Sequence, residues 1–273
     1  MKQVGGVLER TLGYALAFAK SSALGLVLAG LFVAVSRLLH AATAWSMFAT
    51  TPPADMHPLA PLASPLAWAG TLAGWFATAW MAYLVVGWLQ RMLYGREPAF
   101  PAAVGVALGA GLPLLAVNVA LALMLWLAPF PAVGGAYWVY SMVTLVALVW
   151  LLPAMVYAAV HAGGFRAALE RLAETLRGAD YARLLARPGF WAALAPLVLW
   201  LVLAPWLGGL ALQLDLNRSL EAQFYRLLVA EALRGFLTTV VGLPIVAAVL
   251  RSVYDVVWGS PGKASATPAP PAA

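Results

Sequence analysis

The sequence predicts an all-α, polytopic membrane protein: a bundle of about six transmembrane helices, with amphipathic helices lying in-plane on the cytoplasmic side. Three observations predict it. Of 273 residues, 64% are hydrophobic and 10% charged, whereas soluble domains carry about 45–50% apolar and about 25% charged residues. A water-soluble fold needs a charged exterior to cover its core, and lipid as solvent removes that need. Apolar runs of about 20 residues, the length that crosses about 30 Å of hydrocarbon, recur six times. Most basic residues fall in the short segments between those runs, which is the topology signal of membrane proteins.

Taken in order, the first element is an amphipathic segment at 4–20. Val7, Leu8, Leu12, Ala15, Leu16 and Ala19 recur at helical spacing, with Glu9, Arg10 and Lys20 elsewhere, as expected of a helix lying in the interface. The spans follow at 22–44, 66–89, 102–127, 136–160, 190–213 and 235–258. All are too uniformly apolar for the alternation of a membrane barrel. Pro113, Pro153, Pro196, Pro205 and Pro244 fall inside them, where each removes a backbone donor and tends to kink its helix. The loop at 50–65 holds five prolines and reads as irregular or PPII-like. These elements form one transmembrane domain over 1–258, and the Ala/Pro-rich tail at 259–273 reads as disordered.

A second amphipathic helix is expected at 165–187. Phe165, Leu169, Leu172 and Leu176 make one apolar stripe. Arg166 can pair with Glu170 and Glu174 with Arg177; Gly178 is a natural stop and Asp180 a natural cap for a short second helix ended by Pro188-Gly189. Arg166, Arg171, Arg177, Arg183 and Arg187 suit anionic headgroups of the inner leaflet, at about 1 kcal/mol per basic residue, or a protein partner. At 214–234, Arg218, Glu221, Arg226, Glu231 and Arg234 surround nearly the whole helical circumference, with Ser219 as a cap. A helix polar on every side is foreign to lipid, so this segment is expected to extend the last span outward or cover the bundle mouth.

Orientation follows from counting Lys and Arg. With the N-terminus inside, the inner segments hold Lys2, Arg10, Lys20, Arg91, Arg96, Arg166, Arg171, Arg177, Arg183, Arg187, Arg251 and Lys263; the outer ones hold Arg37, Arg218, Arg226 and Arg234. Both termini are therefore expected in the cytoplasm, and the protein in the inner (plasma) membrane. Ala42-Thr43-Ala44 has the form of a signal-cleavage site. The 44 residues to its end exceed the usual ~15–30 of a signal peptide, and Arg37 stands close by.

The formal net charge of +6 is spread over separate segments and gives no nucleic-acid footprint. The chain has no cysteine, which excludes disulfides, thiolate chemistry and Cys-ligated metals. His40 and His57 are expected on the outer side and His161 on the inner, so they cannot share a metal. No H-E-x-x-H, G-x-S-x-G or P-loop is present, and no cofactor is expected. Polar residues inside a bilayer are the place to seek function. Asn118 is the one amide well inside a span, and it more often bridges helices than binds a solute. Glu231 and Arg234 can form a pair at the membrane boundary. Gly70-x-x-x-Gly74 and Gly105-x-x-x-Gly109 favour close helix approach, within the chain or between copies in a homo-oligomer. Of twelve Trp, Trp45, Trp138, Trp191 and Trp258 lie near span ends as an aromatic belt, while Trp75, Trp80, Trp150 and Trp200 are expected to pack between helices.

One span ends in Gly87-Trp88-Leu89-Gln90-Arg91, followed by Gly95-Arg96-Glu97-Pro98 and Pro101. A second block runs from Leu152-Pro153-Ala154 and Tyr157-Ala158 through Gly163-Gly164-Phe165 to Tyr181. Together they resemble the uncharacterised prokaryotic membrane-protein family called domain of unknown function 4013, over roughly 5–200. The resemblance implies a multi-span membrane protein and carries over no activity and no site residues.

Three functions compete. The leading expectation is a non-enzymatic scaffold or accessory subunit of a membrane complex, resting on the Arg-rich inner helices. A transporter or permease component is the alternative, resting on the in-span prolines and Asn118; a polar cavity at mid-bilayer would favour it. A lipid-acting enzyme using Glu231, Arg234 or His161 comes third, since these define no acid–base pair.

Overall fold

The computed structural model describes residues 2–50, 64–127, 133–178, 181–211 and 220–259, and these form helices without a strand among them. In chain order they are α1 (Lys2–Ser21), α2 (Ala23–Thr50), α3 (Pro65–Tyr94), α4 (Phe100–Leu127), α5 (Val133–His161), α6 (Phe165–Arg177), α7 (Tyr181–Leu185), α8 (Pro188–Ala211) and α9 (Leu220–Trp258). Two compact units divide the chain. The first is Met1–Thr11, Val86–Leu194 and Val249–Ala273; the second is Leu12–Val85 and Ala195–Ala248. The Pro-rich loop, the Ala/Pro tail and the caps expected at Asp180 and Ser219 lie outside the described residues.

Five helices are long and apolar enough to cross a bilayer: Ala23–Met47, Pro65–Tyr94, Phe100–Met124, Met142–His161 and Ala222–Trp258. The segment expected as another span is α8, whose described apolar stretch is the shorter Pro188–Ala204. Together they make a helical, multi-pass membrane bundle. Two span boundaries differ from the expected ones. The first span reaches Met47 rather than 44, and Arg37, counted with the outer segments although the expected span 22–44 already contains it, lies well inside. The last candidate stretch begins at Ala222 rather than Gly235 because α9 is one continuous helix, so the charged segment extends the span as expected. At about 1.5 Å per residue its 37 residues are longer than the hydrocarbon requires. The short helix α7 stops at Leu185, before Pro188 as expected, and Pro188 itself opens α8, where its missing N–H costs nothing and its fixed φ fits the first turn.

In the first unit, α4, α5 and α6 pack on one another. The small residues of α4 make this possible. A Cβ on Gly105 would lie 3.2 Å from the Phe165 backbone nitrogen, and one on Gly109 would lie 2.5 Å from the Phe165 carbonyl oxygen. This small-residue motif is therefore spent inside the chain, seating the first turn of α6. The stripe of α6 turns accordingly: Ala168 and Leu172 are its buried centre, while Phe165 is 45% exposed. Arg166 pairs with Glu170 at 2.9 Å as expected. Glu174 pairs with Arg171 at 3.0 Å rather than with Arg177, both partners standing one helical turn from it.

Helix ends in this unit are closed by side chains. The Gln90 amide, 7% exposed, donates to the Ala159 and Ala162 carbonyls at 3.0 Å each, where α5 ends. Arg187 Nη1 donates to the Val256 and Val257 carbonyls at 3.0 and 3.1 Å, two of the four that α9 leaves without helical partners at its C-terminus. Gly95, at φ 64°, ends α3 in the left-handed conformation that favours glycine, and Arg91 then bridges to Glu97 at 2.8 Å. The Tyr181 hydroxyl donates to the Trp150 carbonyl and meets the Ala154 backbone N–H. Those two residues are four apart and flank Pro153, so the phenol occupies the stretch of helix that proline interrupts. Burial pushes the phenol up to about 12 and the Ala154 N–H partly offsets that. Further along, Thr11 and Ser252 hydroxyls meet at 2.7 Å, and Arg251 pairs with Asp255 at 2.9 Å with both side chains buried.

The second unit is organised by α2. Gly30 lies against Phe236 and Val240, Gly235 against Val33 and Arg37, and Trp45 stacks on Phe224 with ring centroids 5.0 Å apart. Numbers rise on α2 as they fall on α9, so the two run antiparallel. The same holds with α3, where Leu84 covers Gly25, Phe32 meets Phe76 at 4.6 Å, and Ser36 donates to the Gly70 carbonyl at 2.7 Å. Gly70 and Gly74 both face Ser36. Trp80 and Trp200 pack inward as expected, Trp80 on the Gly25 carbonyl and Trp200 on Gly242. Trp75 and Trp150 do not; at 68% and 48% exposed they face outward, because a ring is as well solvated by lipid as by a neighbouring helix.

Two outcomes test this packing. Gly109→Ala should cost about 1–3 kcal/mol by overpacking against backbone, while Gly111→Ala, with open space around it, should gain about 0.5–1 kcal/mol; thermal unfolding in detergent reads both. Because Tyr181 is raised in the folded state from 10.0 to about 12, its contribution is complete below about pH 10 and lost as pH climbs toward 12. The melting temperature should fall over that window, and less so in Tyr181→Phe.

Candidate functional site

Charge inside the apolar part of the second unit centres on one carboxylate. Glu231 of α9 accepts from Arg37 of α2 at 3.0 Å through one oxygen and contacts Arg234 at 3.4 Å through the other. Arg37 stands fourteen residues after Ala23 and ten before Met47, near the middle of its span. It reaches Glu231 because Gly235, one turn along α9, leaves room for its stem: a Cβ there would lie 2.7 Å from Arg37 Cδ. An ionised side chain in hydrocarbon is costly alone, and pairing offsets much of that cost. The side chains are 41%, 19% and 34% exposed for Arg37, Glu231 and Arg234, so the carboxylate is the most enclosed of the three.

With Arg234 holding the other Glu231 oxygen from outside the lining, Arg37 and Glu231 line a cavity of about 640 Å³. Its wall includes Ser36, Arg37, His40, Thr78 and Glu231, completed by apolar groups such as Val33, Met81 and Leu227. The hydroxyls of Ser36 and Thr78 donate to the Gly70 and Gly74 carbonyls. Donor capacity in the wall therefore falls to Arg37 and His40. Pockets of roughly 300–1,000 Å³ with a few convergent polar groups in an apolar lining suit small organic ligands.

The other residues singled out in the sequence have different surroundings. Asn118 links α4 to α5: its Oδ1 accepts from Tyr140 at 2.6 Å and Thr144 at 3.1 Å, and its Nδ2 donates to the Leu114 carbonyl at 2.8 Å. Its carbonyl oxygen bridges the two helices, while its amide nitrogen bonds back to its own helix one turn earlier. His161 ends α5 in an aromatic cluster, with the Tyr94 hydroxyl 3.0 Å from Nδ1 and the Tyr254 hydroxyl 3.2 Å from Nε2. Its ring packs 4.2 Å from that of Tyr157, which contacts Trp258. A second cavity of about 620 Å³ lies beside it, lined by Gln90, Arg96 and Glu97 among others. Arg166, Arg171 and Arg177 are on exposed positions of α6 and Arg183 on α7, whereas Arg187 is engaged with the end of α9. His57, Arg218 and the Glu221 side chain lie outside the described residues.

Sequence reasoning found the Glu231–Arg234 pair but missed Arg37, its closer partner. The signal available was an arginine ten residues before the end of an apolar run, with glycine four residues after the glutamate on the facing helix. Among the described residues, no group of three or more His, Asp or Glu is placed to hold a metal ion. Compared with family models, curated proteins and solved structures, the chain matches none.

The cross-helix bond sets a measurable coupling. In a double-mutant cycle, Arg37→Gln and Glu231→Gln should together cost less than the sum of the two by about 0.5–3 kcal/mol; strict additivity would show that the pair contributes nothing.

Proposed function

We propose that this integral membrane protein is a transporter or permease component that admits a small polar solute through the cavity beside Arg37 and Glu231. The observation that carries this reading is the position of that cavity. Ionisable residues within apolar spans mark solute or ion pathways by default, and here they border a space of about 640 Å³. Pro244 of α9 and Pro196 of α8 belong to the same unit, and interrupted ladders of that kind serve transporters as points of bending. The positive-inside bias supports an N-terminus in the cytoplasm and residence in the inner membrane. Whether α8 crosses decides the far end: with it both termini share a side.

A second reading, the scaffold or accessory subunit, is favoured by α6. Its outer face exposes Arg166 and Arg171, with side chains 92% and 50% accessible, which suits anionic headgroups or a partner's acidic surface. Kinship to domain of unknown function 4013 remains a proposal resting on the motifs at 87–101 and 152–181, and it assigns no activity to either reading.

Reconstitution in proteoliposomes separates them. The wild type should pass at least one class from a panel of inorganic ions, amines, alcohols and carboxylates faster than empty vesicles. Arg37→Gln should cut that rate at least about tenfold, equivalent to ~1.4 kcal/mol on the barrier. Flux indistinguishable from empty vesicles for the whole panel, together with co-purification of a stoichiometric partner in mild detergent, would move the assignment to the accessory subunit.

A further inference from the structure

We infer that the cavity beside Arg37 selects a small monoanion, specifically a monocarboxylate with an apolar body, an inference that rests on the permease reading. The charge count makes the case. Two guanidiniums, Arg37 in the cavity wall and Arg234 outside it, share the single carboxylate of Glu231. The triad therefore carries one net positive charge among apolar helices, and the carboxylate facing the cavity is already claimed by two cations. Arginine does not deprotonate in proteins. A net cation in such surroundings is costly, and a monoanion entering the cavity neutralises it. A cation would instead raise the local charge to two and compete with Arg37 for Glu231.

The shape of the wall narrows the ligand further. Arg37 has five N–H donors in a rigid fork, and its bond to Glu231 is made through Nη1. That fork matches a carboxylate geometrically. His40 adds a ring nitrogen to the same wall. Ser36 and Thr78 present only acceptor lone pairs, their protons being committed to backbone carbonyls, so the anion's recognition falls to Arg37 with His40 beside it. Val33, Met81 and Leu227 supply apolar contact for a short hydrocarbon body. A bare inorganic anion would leave that part of the wall without a partner.

Equilibrium binding to the full-length protein in nanodiscs tests this, with hexanoate, hexylammonium and 1-hexanol as isosteric probes. Hexanoate should bind at least about tenfold more tightly than either other probe. Arg37→Gln should weaken hexanoate at least about tenfold. Glu231→Gln removes the competing carboxylate and should strengthen it, a gain that a misfolded variant cannot mimic. Equal binding of hexanoate and hexanol would reduce the site to an apolar void, and preference for hexylammonium would reverse its sign; either overturns the inference, as does binding of none. The permease reading fails separately. Hexanoate bound but never translocated would leave the monoanion site standing and remove transport, whereas flux of amines or alcohols without hexanoate binding would do the opposite.

Discussion

Backbone and charged groups surrounded by hydrocarbon must find partners within the protein, and most polar side chains described in this chain are placed by that requirement. In water a helix end or a proline kink is completed by solvent. Here Gln90 completes α5, Arg187 completes α9, and the Tyr181 hydroxyl enters α5 beside Pro153. Asn118 fastens α4 to α5 through its carbonyl oxygen and returns its amide to its own helix. Residues that would read as functional in a soluble protein thus serve as fasteners.

That background sets the Arg37–Glu231–Arg234 group apart. Gln90, Arg187 and Asn118 each meet groups that need what they offer. The triad has one cation more than its carboxylate neutralises, and two of its members, Arg37 and Glu231, line open volume. Arg251–Asp255, by contrast, balances one cation against one carboxylate with both side chains buried. An unbalanced charge next to a cavity is the arrangement that a ligand of opposite sign completes.

Glycine has a second role, in approach rather than in turns. Gly109 admits α6 to the face of α4, Gly235 admits the stem of Arg37 to α9, and Gly70 with Gly74 admit Ser36. Lipid gives helices no hydrophobic reason to associate, so close backbone contact and the polar bonds it permits supply much of the specificity. The G-x-x-x-G spacings visible in the sequence are both used within the chain.

The sequence alone determined the solvent, the helical class and the approximate spans, because apolar run length and charge exclusion are local properties fixed by the bilayer's thickness. It also showed the i, i+3 and i, i+4 pairs within one helix, such as Arg166–Glu170 and Glu231–Arg234, since helical geometry makes those neighbours on any chain. Only the tertiary structure decided that Arg37 meets Glu231, 194 residues away, that Trp75 faces outward while Trp80 faces inward, and that Arg187 closes a helix end. Those outcomes depend on the rotation and register of one helix against another. Register is set by where a glycine lets two backbones come close, and a run of apolar residues that looks alike on every side does not encode it.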